Sequence, residues 1–125
     1  MLADSNLIIY ASKLEHEFLR GWFATEVPSV SGITFVEVLG YHRLQTDERT
    51  FLEGFFAAAR VEPLSPPVLN QAVKLRQTKK ISLGDSLVAA TALVNGMTLA
   101  TRNVSDFAWI PGLALFNPFD RPVTS

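Results

Sequence analysis

Short apolar runs alternate along the chain with longer stretches in which apolar residues recur at helical spacing. Leu2 to Asp4 reads as the end of a strand, and from Leu14 to Ala24 the residues Leu14, Phe18, Leu19, Trp22 and Phe23 fall along one helical stripe. Val27 to Val30 is a second extended run. Thr34 to Leu44 carries Phe35, Val38, Leu39, Tyr41 and His42 at helical intervals, and Asp47 with Glu48 supply a start for a further helix through Phe51, Phe55 and Phe56. Val61 to Leu64 is another strand. Pro66 and Pro67 suit the first turn of a helix running to about Lys80, and Ser82 suits the cap of the next, Leu83 to Asn95, which stops at Gly96. Met97 to Thr101 and Leu113 to Phe116 read as strands, with a short helical turn over Val104 to Phe107 between them. Strands alternating with helices predict a mainly parallel α/β sheet covered on both faces, because a parallel crossover needs about a dozen residues and usually a helix.

The 125 residues, nearly half of them apolar, suffice for one compact domain over 1–125 with a real core. The absence of cysteine excludes a disulfide framework and thiolate metal sites, zinc fingers included. The start, MLADSN, lacks a positively charged segment, and Lys13, Glu15 and Glu17 interrupt the apolar stretch that follows, so a cytoplasmic protein is expected. A net charge of −1 gives no long-range attraction for nucleic acid, and any such reading must rest on local features.

Ligands of parallel sheets bind beyond the carboxyl ends of the strands. Four acids fall at such junctions: Asp4 after the first strand, Glu37 after VPSVSGIT, Asp85 in SLGDSLVAATAL and Asp106 in TRNVSDF. Each has apolar neighbours. Glu37 lies three residues after Thr34, so hydroxyl and carboxylate share one helix face, which is expected to point at the sheet. Taken singly, Asp4, Asp85 and Asp106 also suit helix caps or first turns, and Asp106 with Asn103 suits a loose capping pair. Four such acids in one α/β domain are harder to explain as independent caps. If they converge, mutual repulsion raises some of their pKa values, and a divalent cation keeps them ionised. Oxygen ligands without cysteine or a histidine pair, His16 and His42 being unpaired, favour Mg²⁺ or Mn²⁺ and phosphoryl transfer.

The sequence resembles the PIN-domain ribonucleases, and most closely the VapC-type toxins of type II toxin-antitoxin systems. The matching stretches are ADSN at 3 to 6, TFVE over Thr34 to Glu37, SLGDSLVAATAL at 82 to 93 and ATRNVSDF at 100 to 107, in the family's order from first strand to last. The resemblance implies a three-layer α/β/α sandwich around a mainly parallel sheet of four to five strands. It implies a metal-dependent endoribonuclease in which Asp4, Glu37, Asp85 and Asp106 surround one or two Mg²⁺ or Mn²⁺ ions and act on a phosphodiester through metal-activated water. Asn6 and Thr101 match polar positions lining that pocket, and Asn103 can stand in for the fourth acid. Ser5, where the family often has Thr, and Gly84 depart from the usual pattern without removing a ligand.

For RNA, Arg76, Lys79 and Lys80 in KLRQTKK have helical spacing and lead into Asp85, so they can form a basic ridge beside the acids; a solvated helix face explains them equally well. Arg102 and Arg43 are further phosphate contacts on this reading, and the low net charge favours one folded RNA recognised through a single-stranded loop. The aromatic residues Phe51, Phe55, Phe56, Trp22 and Phe23 read mainly as core, with any exposed remainder marking a partner surface. The resemblance supplies a cognate antitoxin as that partner, and a homodimer. Of the rivals, a haloacid-dehalogenase-type phosphatase needs an acid where Asn6 stands, and a phospho-receiver needs an adjacent acidic pair and a Lys where Thr101 stands. A PIN fold kept as a non-catalytic binding module is the other alternative.

Overall fold

The computed structural model describes residues 1–120. Its elements run in the order β1 (Leu2–Ala3), α1 (Ser5–Ala11), a 3-10 turn (Leu14–His16), α2 (Phe18–Glu26), β2 (Val30–Ser31) and α3 (Gly32–Leu39). They continue with α4 (Thr46–Ala58), β3 (Val61–Glu62), α5 (Pro66–Thr78), α6 (Leu83–Val94), β4 (Leu99–Ala100), α7 (Val104–Phe107) and β5 (Leu115–Phe116). Every pairing is parallel: β1 with β4, β4 with β5, and β2 with β3. A bridge from Leu2 to Ser29 joins the two sets, with Ala3 N donating to Ser29 O at 2.9 Å, which gives the spatial order β3-β2-β1-β4-β5. None of the helices of the described residues is long and apolar enough to cross a membrane.

Successive strand residues point to opposite faces, and the two faces feed two cores. Leu2 and Leu99 pack with Val68, Ala72 and Leu75 of α5 and Leu87 to Ala90 of α6. Ala3, Ala100 and Val30 pack with Leu7 and Ile8 of α1, Leu19 and Phe23 of α2, Val38 of α3, and Leu52 and Phe56 of α4. Helices thus cover both faces, as the alternation of strands and helices predicts. The run Leu87 to Ala92 in α6 is buried on every side. Its one polar residue, Thr91, bonds its hydroxyl to Leu87 O at 2.7 Å and to Ser31 Oγ at 3.0 Å, so no polar atom is stranded there.

The elements differ from the sequence reading in several places: α1 is an added helix, the helix expected over Thr34 to Leu44 spans Gly32–Leu39 and stops at Gly40, and Val27, expected in an extended run, caps α2 instead. The strands are only two residues long, shorter than the runs expected from the sequence, with β1 turning into α1 at Asp4. The stripe from Leu14 to Ala24 is split by the 3-10 turn, next to which Lys13 is held by an ion pair to Glu48 of α4, a tertiary tie that periodicity does not report. The start of α4 is set by a capping box of Gln45 and Glu48, with Gln45 N donating to Glu48 Oε1 at 2.9 Å. Helix α5 stops at Thr78, and Lys79 is extended, so Arg76, Lys79 and Lys80 do not share a helical stripe.

Two helices end on left-handed residues, and they differ in kind. Gly96 follows α6 at φ 63°, where a glycine is free of steric cost. Val27 follows α2 at φ 44°, a β-branched residue in the region that crowds its side chain, and it is 71% exposed. Replacement Val27→Gly is therefore expected to stabilise the fold by about 1 kcal/mol, since little apolar burial is lost. Urea denaturation of the two proteins measures this, and a loss of stability would show that the exposed isopropyl group, not the backbone, decides the balance.

Candidate metal-binding and catalytic site

The carboxyl edge of the sheet brings together residues from both ends of the chain. Because Ala3 pairs with Ala100, the next residues, Asp4 and Thr101, stand side by side, and Asp4 N donates to Ala100 O at 2.9 Å. Thr101 Oγ1 donates to Asp4 Oδ2 at 2.9 Å and accepts from Asn103 N at 3.0 Å. Asp4 occupies the N-cap position of α1 in an extended conformation but makes no side-chain cap bond. Its carboxyl is turned away from cap duty, with only 4% of the residue exposed. Burial pushes its pKa up from 3.8 to about 6; the Thr101 hydroxyl opposes this, and the charges of Asp85 and Glu37 add to it.

Glu37 is held from two sides. Ser5 Oγ lies 2.7 Å from Glu37 Oε1 and 3.1 Å from Thr34 Oγ1. A hydroxyl has one proton and a carboxylate accepts only, so Ser5 donates to Glu37 and the Thr34 hydroxyl supplies the second bond. On the other side stands Gly84, where a Cβ would meet Glu37 Oε2 and require that carboxylate to shift. Hydroxyl and carboxylate of α3 do share one face, but that face meets α1 and α6, not the sheet, and Glu37 itself is exposed. Of its apolar neighbours, Val38 is buried in the core whereas Phe35 and Val36 are 44% and 65% exposed, so the flanking apolar residues do not report the exposure of Glu37 itself.

Asp85 sits half-buried in the first turn of α6, its N–H donating to the capping Ser82 Oγ at 3.1 Å. Burial raises its pKa, Ser82 lowers it, and the charges of Asp106 and Glu37 raise it further. Asp106 is exposed on α7 and not embedded among apolar groups; its backbone is fixed by Asp106 N to Asn103 O at 3.1 Å and by Trp109 Nε1 to its own carbonyl at 3.0 Å. A cleft of about 530 Å³ is lined by Arg76, Lys80, Ile81, Ser82, Asp85 and Asp106.

The charges of Asp85 and Glu37 thus reach Asp4, and those of Asp106 and Glu37 reach Asp85, across one edge of the sheet. Among the described residues, no three His, Asp or Glu side chains close on a single point tightly enough to hold an ion as they stand. The donor set still fits a hard divalent cation: every donor is oxygen, and Gly84 leaves the Glu37 carboxylate room at the mouth of α6 that a side chain would fill.

The remaining predicted residues separate. Asn6 is exposed in the first turn of α1, and Asn103 caps α7 without a side-chain bond. Arg76 and Lys80 line the acidic cleft, whereas Lys79 lies 5.5 Å from the Trp109 ring centre. Arg102 rests on the Phe119 and Tyr10 rings, and Arg43 is exposed in the turn after α3. Sequence reasoning passed over Ser5, Thr34, Ser82 and Gly84 as holders of the carboxylates. Their only signal was adjacency: a small polar residue or glycine beside each acid, or one helical turn from it.

The family model for the PIN domain matches residues 1–111. No curated protein matches the sequence. Among solved structures, a toxin-antitoxin complex from Klebsiella pneumoniae is 28% identical over 90% of this chain and 94% of its own, with a TM-score of 0.71. FitAcB from Neisseria gonorrhoeae is 24% identical over 96% of this chain and 99% of its own, TM-score 0.75. The DNA-bound VapBC from Salmonella typhimurium is 23% identical over 93% and 96%, TM-score 0.79, which shows the shared fold.

The buried Asp4 makes a pH prediction. The folded protein retains a proton on Asp4 that the unfolded chain loses, so stability falls as pH rises from 3.8 to about 6, and the cost stands in full above that window. The shift corresponds to a cost of up to about 3 kcal/mol. Asp4→Asn, neutral and of the same shape, is expected to melt higher than the wild type at pH 8 in EDTA, with the gap closing near pH 4. Thermal melts across that range measure this; equal melting throughout would show that the buried charge carries no cost.

Proposed function

Since the chain belongs to the PIN-domain family of nucleases, we propose that it is a metal-dependent endoribonuclease toxin that hydrolyses a phosphodiester in one structured RNA and is restrained by a cognate antitoxin. The observation that carries this reading is the approach of four acids from four separate segments to one sheet edge, where Arg76 and Lys80 share a cleft with two of them. Asp4, Glu37, Asp85 and Asp106 would hold one or two Mg²⁺ or Mn²⁺ ions. Such ions, when bound, supply positive charge against the developing phosphorane and make a water acidic enough to attack.

The chain's own residues do the rest. Thr101 orients Asp4 by its hydroxyl, and Ser5 fixes Glu37 between α1 and α6. Asp85 is set at the cleft by the Ser82 cap. Arg76 and Lys80 can bind the phosphate backbone beside the acids, so that the scissile bond enters a site whose carboxylates are already placed. Water attack on phosphorus with departure of the 3′ oxygen leaves a 5′ phosphate and a 3′ hydroxyl.

The restraint would act on a second surface. An apolar groove of about 500 Å³ runs between α2 and α4, lined by Phe23, Ala24, Val27, Phe51, Phe55 and Ala58, with Arg20 over the Phe51 ring at 4.5 Å. It suits the apolar face of an antitoxin helix, with Arg20 at its edge for an acidic residue of that partner. The exposed Val36, Leu69, Val73 and Leu83 on α3, α5 and α6 suit a homodimer contact.

The test is cleavage of total cellular RNA by purified wild type, Asp4→Asn and Ser5→Ala proteins with Mg²⁺, Mn²⁺ or EDTA. Discrete metal-dependent cuts bearing 5′ phosphates are expected from the wild type. Asp4→Asn should lose cleavage by a factor of about a hundred or more, and Ser5→Ala by about ten to a hundred, as for groups that orient a metal ligand. Equal cutting by all three proteins would overturn the site, and absence of cutting would favour a PIN fold used only for binding.

A further inference from the structure

Arg102 stands between two residues whose positions are fixed. Thr101 before it bonds to Asp4 through its side chain and to Phe116 O through its N–H at 2.9 Å, and Asn103 after it donates to Thr101 Oγ1. The Arg102 guanidinium carbon lies 4.2 Å from the Phe119 ring centre and 5.3 Å from that of Tyr10. Among the described residues Arg102 has no ion-pair partner, although acids stand nearby.

Phe119 is delivered to that place by a short turn. Asn117 Oδ1 accepts from Phe119 N at 2.9 Å, Asp120 N donates to Asn117 O at 3.0 Å, and Pro118 is buried. The ring is met edge-on by Phe18, His16 and Tyr10, with centres at 5.1, 5.4 and 5.9 Å. The rings pin the Phe119 plane, and its face carries the guanidinium. Stacking has a different consequence from an ion pair. A guanidinium bonded to Asp4 would spend its donors and neutralise the acid, whereas one held by its face keeps its N–H edge free to fork a phosphate.

Tyr10, Phe18 and Phe119 pack with the α1–α4 core, while Arg76 and Lys80 belong to the opposite layer, so the acids are flanked by cations from both sides of the sheet. Resting on the ribonuclease reading, we propose that Arg102 is a preset phosphate contact for the RNA strand and that Phe119 is the positioning residue that presets it. The turn 117–120 thereby tunes how firmly RNA is held beside the acids. Phe119 does not touch substrate; it removes rotamer freedom that Arg102 would otherwise lose on binding.

The experiment measures binding of a fluorescently labelled mixed-sequence single-stranded RNA oligonucleotide to the full chain in EDTA, across a series of salt concentrations. The proteins are wild type, Arg102→Gln, Phe119→Leu, Phe119→Trp and the double variant Arg102→Gln/Phe119→Leu. Leucine keeps the apolar packing but has no ring face, and tryptophan restores one. Arg102→Gln is expected to reduce the slope of log affinity against log salt by about 0.7, the share of one phosphate contact on a single strand. Phe119→Leu should weaken binding about two- to fivefold, Phe119→Trp should restore it, and the double variant should bind no worse than Arg102→Gln alone.

Additive losses in the double variant, or a Phe119→Leu protein that binds like wild type, would overturn the proposal while leaving the nuclease reading in place. A wild type that shows no salt-dependent RNA binding would overturn this proposal, while the cleavage of total cellular RNA decides the nuclease reading separately. Should Phe119→Leu lower the melting temperature, the comparison of Arg102→Gln with the wild type still decides whether Arg102 meets a phosphate.

Discussion

The hydrogen bond from Thr101 to Asp4 joins strand ends 97 residues apart, and the geometry of the site follows from it. It exists because β1 and β4 are neighbours in a parallel sheet and pair in a register that sets Ala3 against Ala100. A slip of one residue would send Asp4 to the other side of its strand and place an unpaired carboxyl in an apolar core. The buried acid therefore does double service: it marks the register, and it supplies charge to the sheet edge. Asp4 stops the strand after two residues, so the sheet is narrow along its strands and its carboxyl edge lies close to the helices on both faces.

Around this edge the charged groups are held by small residues more than by opposite charges. Ser5 and Thr34 place Glu37, Ser82 places Asp85, and Gly84 makes room where the two helices meet. Hydroxyls orient a carboxylate without neutralising it, which leaves its charge available to a cation. The ion pairs of the described residues lie elsewhere: Lys13 with Glu48 ties α4 to the turn after α1, and Arg60 with Glu62 lies on β3. Arg76 and Lys80 share the cleft with Asp85 and Asp106 without forming an ion pair among the described residues, while Arg102 rests on rings and Lys79 lies over Trp109.

The exposed apolar surface falls into separate regions. The groove between α2 and α4 includes Val27, which adopts a backbone conformation costly for its side chain while exposing most of that side chain to water. Its strain is thus offset by little apolar burial within the described residues. Val36, Leu69, Val73 and Leu83 are further exposed apolar residues on α3, α5 and α6. Both regions lie on helices, while the acids lie at the strand ends.

The alternation of apolar runs and helical stripes, the caps at Ser82 and Gly96 and the prolines opening α5 are local features, and for that reason the order of elements and the parallel α/β class could be read from them. The candidacy of the four acids was legible too, because charged residues set in apolar sequence at strand ends stand out one by one. What stayed hidden was how each acid is held and how exposed it is. Glu37 has apolar neighbours in the chain, yet Phe35 and Val36 face water while Val38 is buried, and the carboxylate meets Ser5 and Gly84, which lie 32 and 47 positions away. Likewise the spacing of Arg76, Lys79 and Lys80 suggested one ridge, but the helix ends at Thr78 and Trp109 draws Lys79 aside. The order and type of most elements and the chemical inventory were legible from the chain, since these depend on neighbours a few residues apart. Only the tertiary structure decided which carboxylate is buried, which hydroxyl holds it and which cation stays free, because those depend on strand register and helix contact between segments the chain brings together from afar.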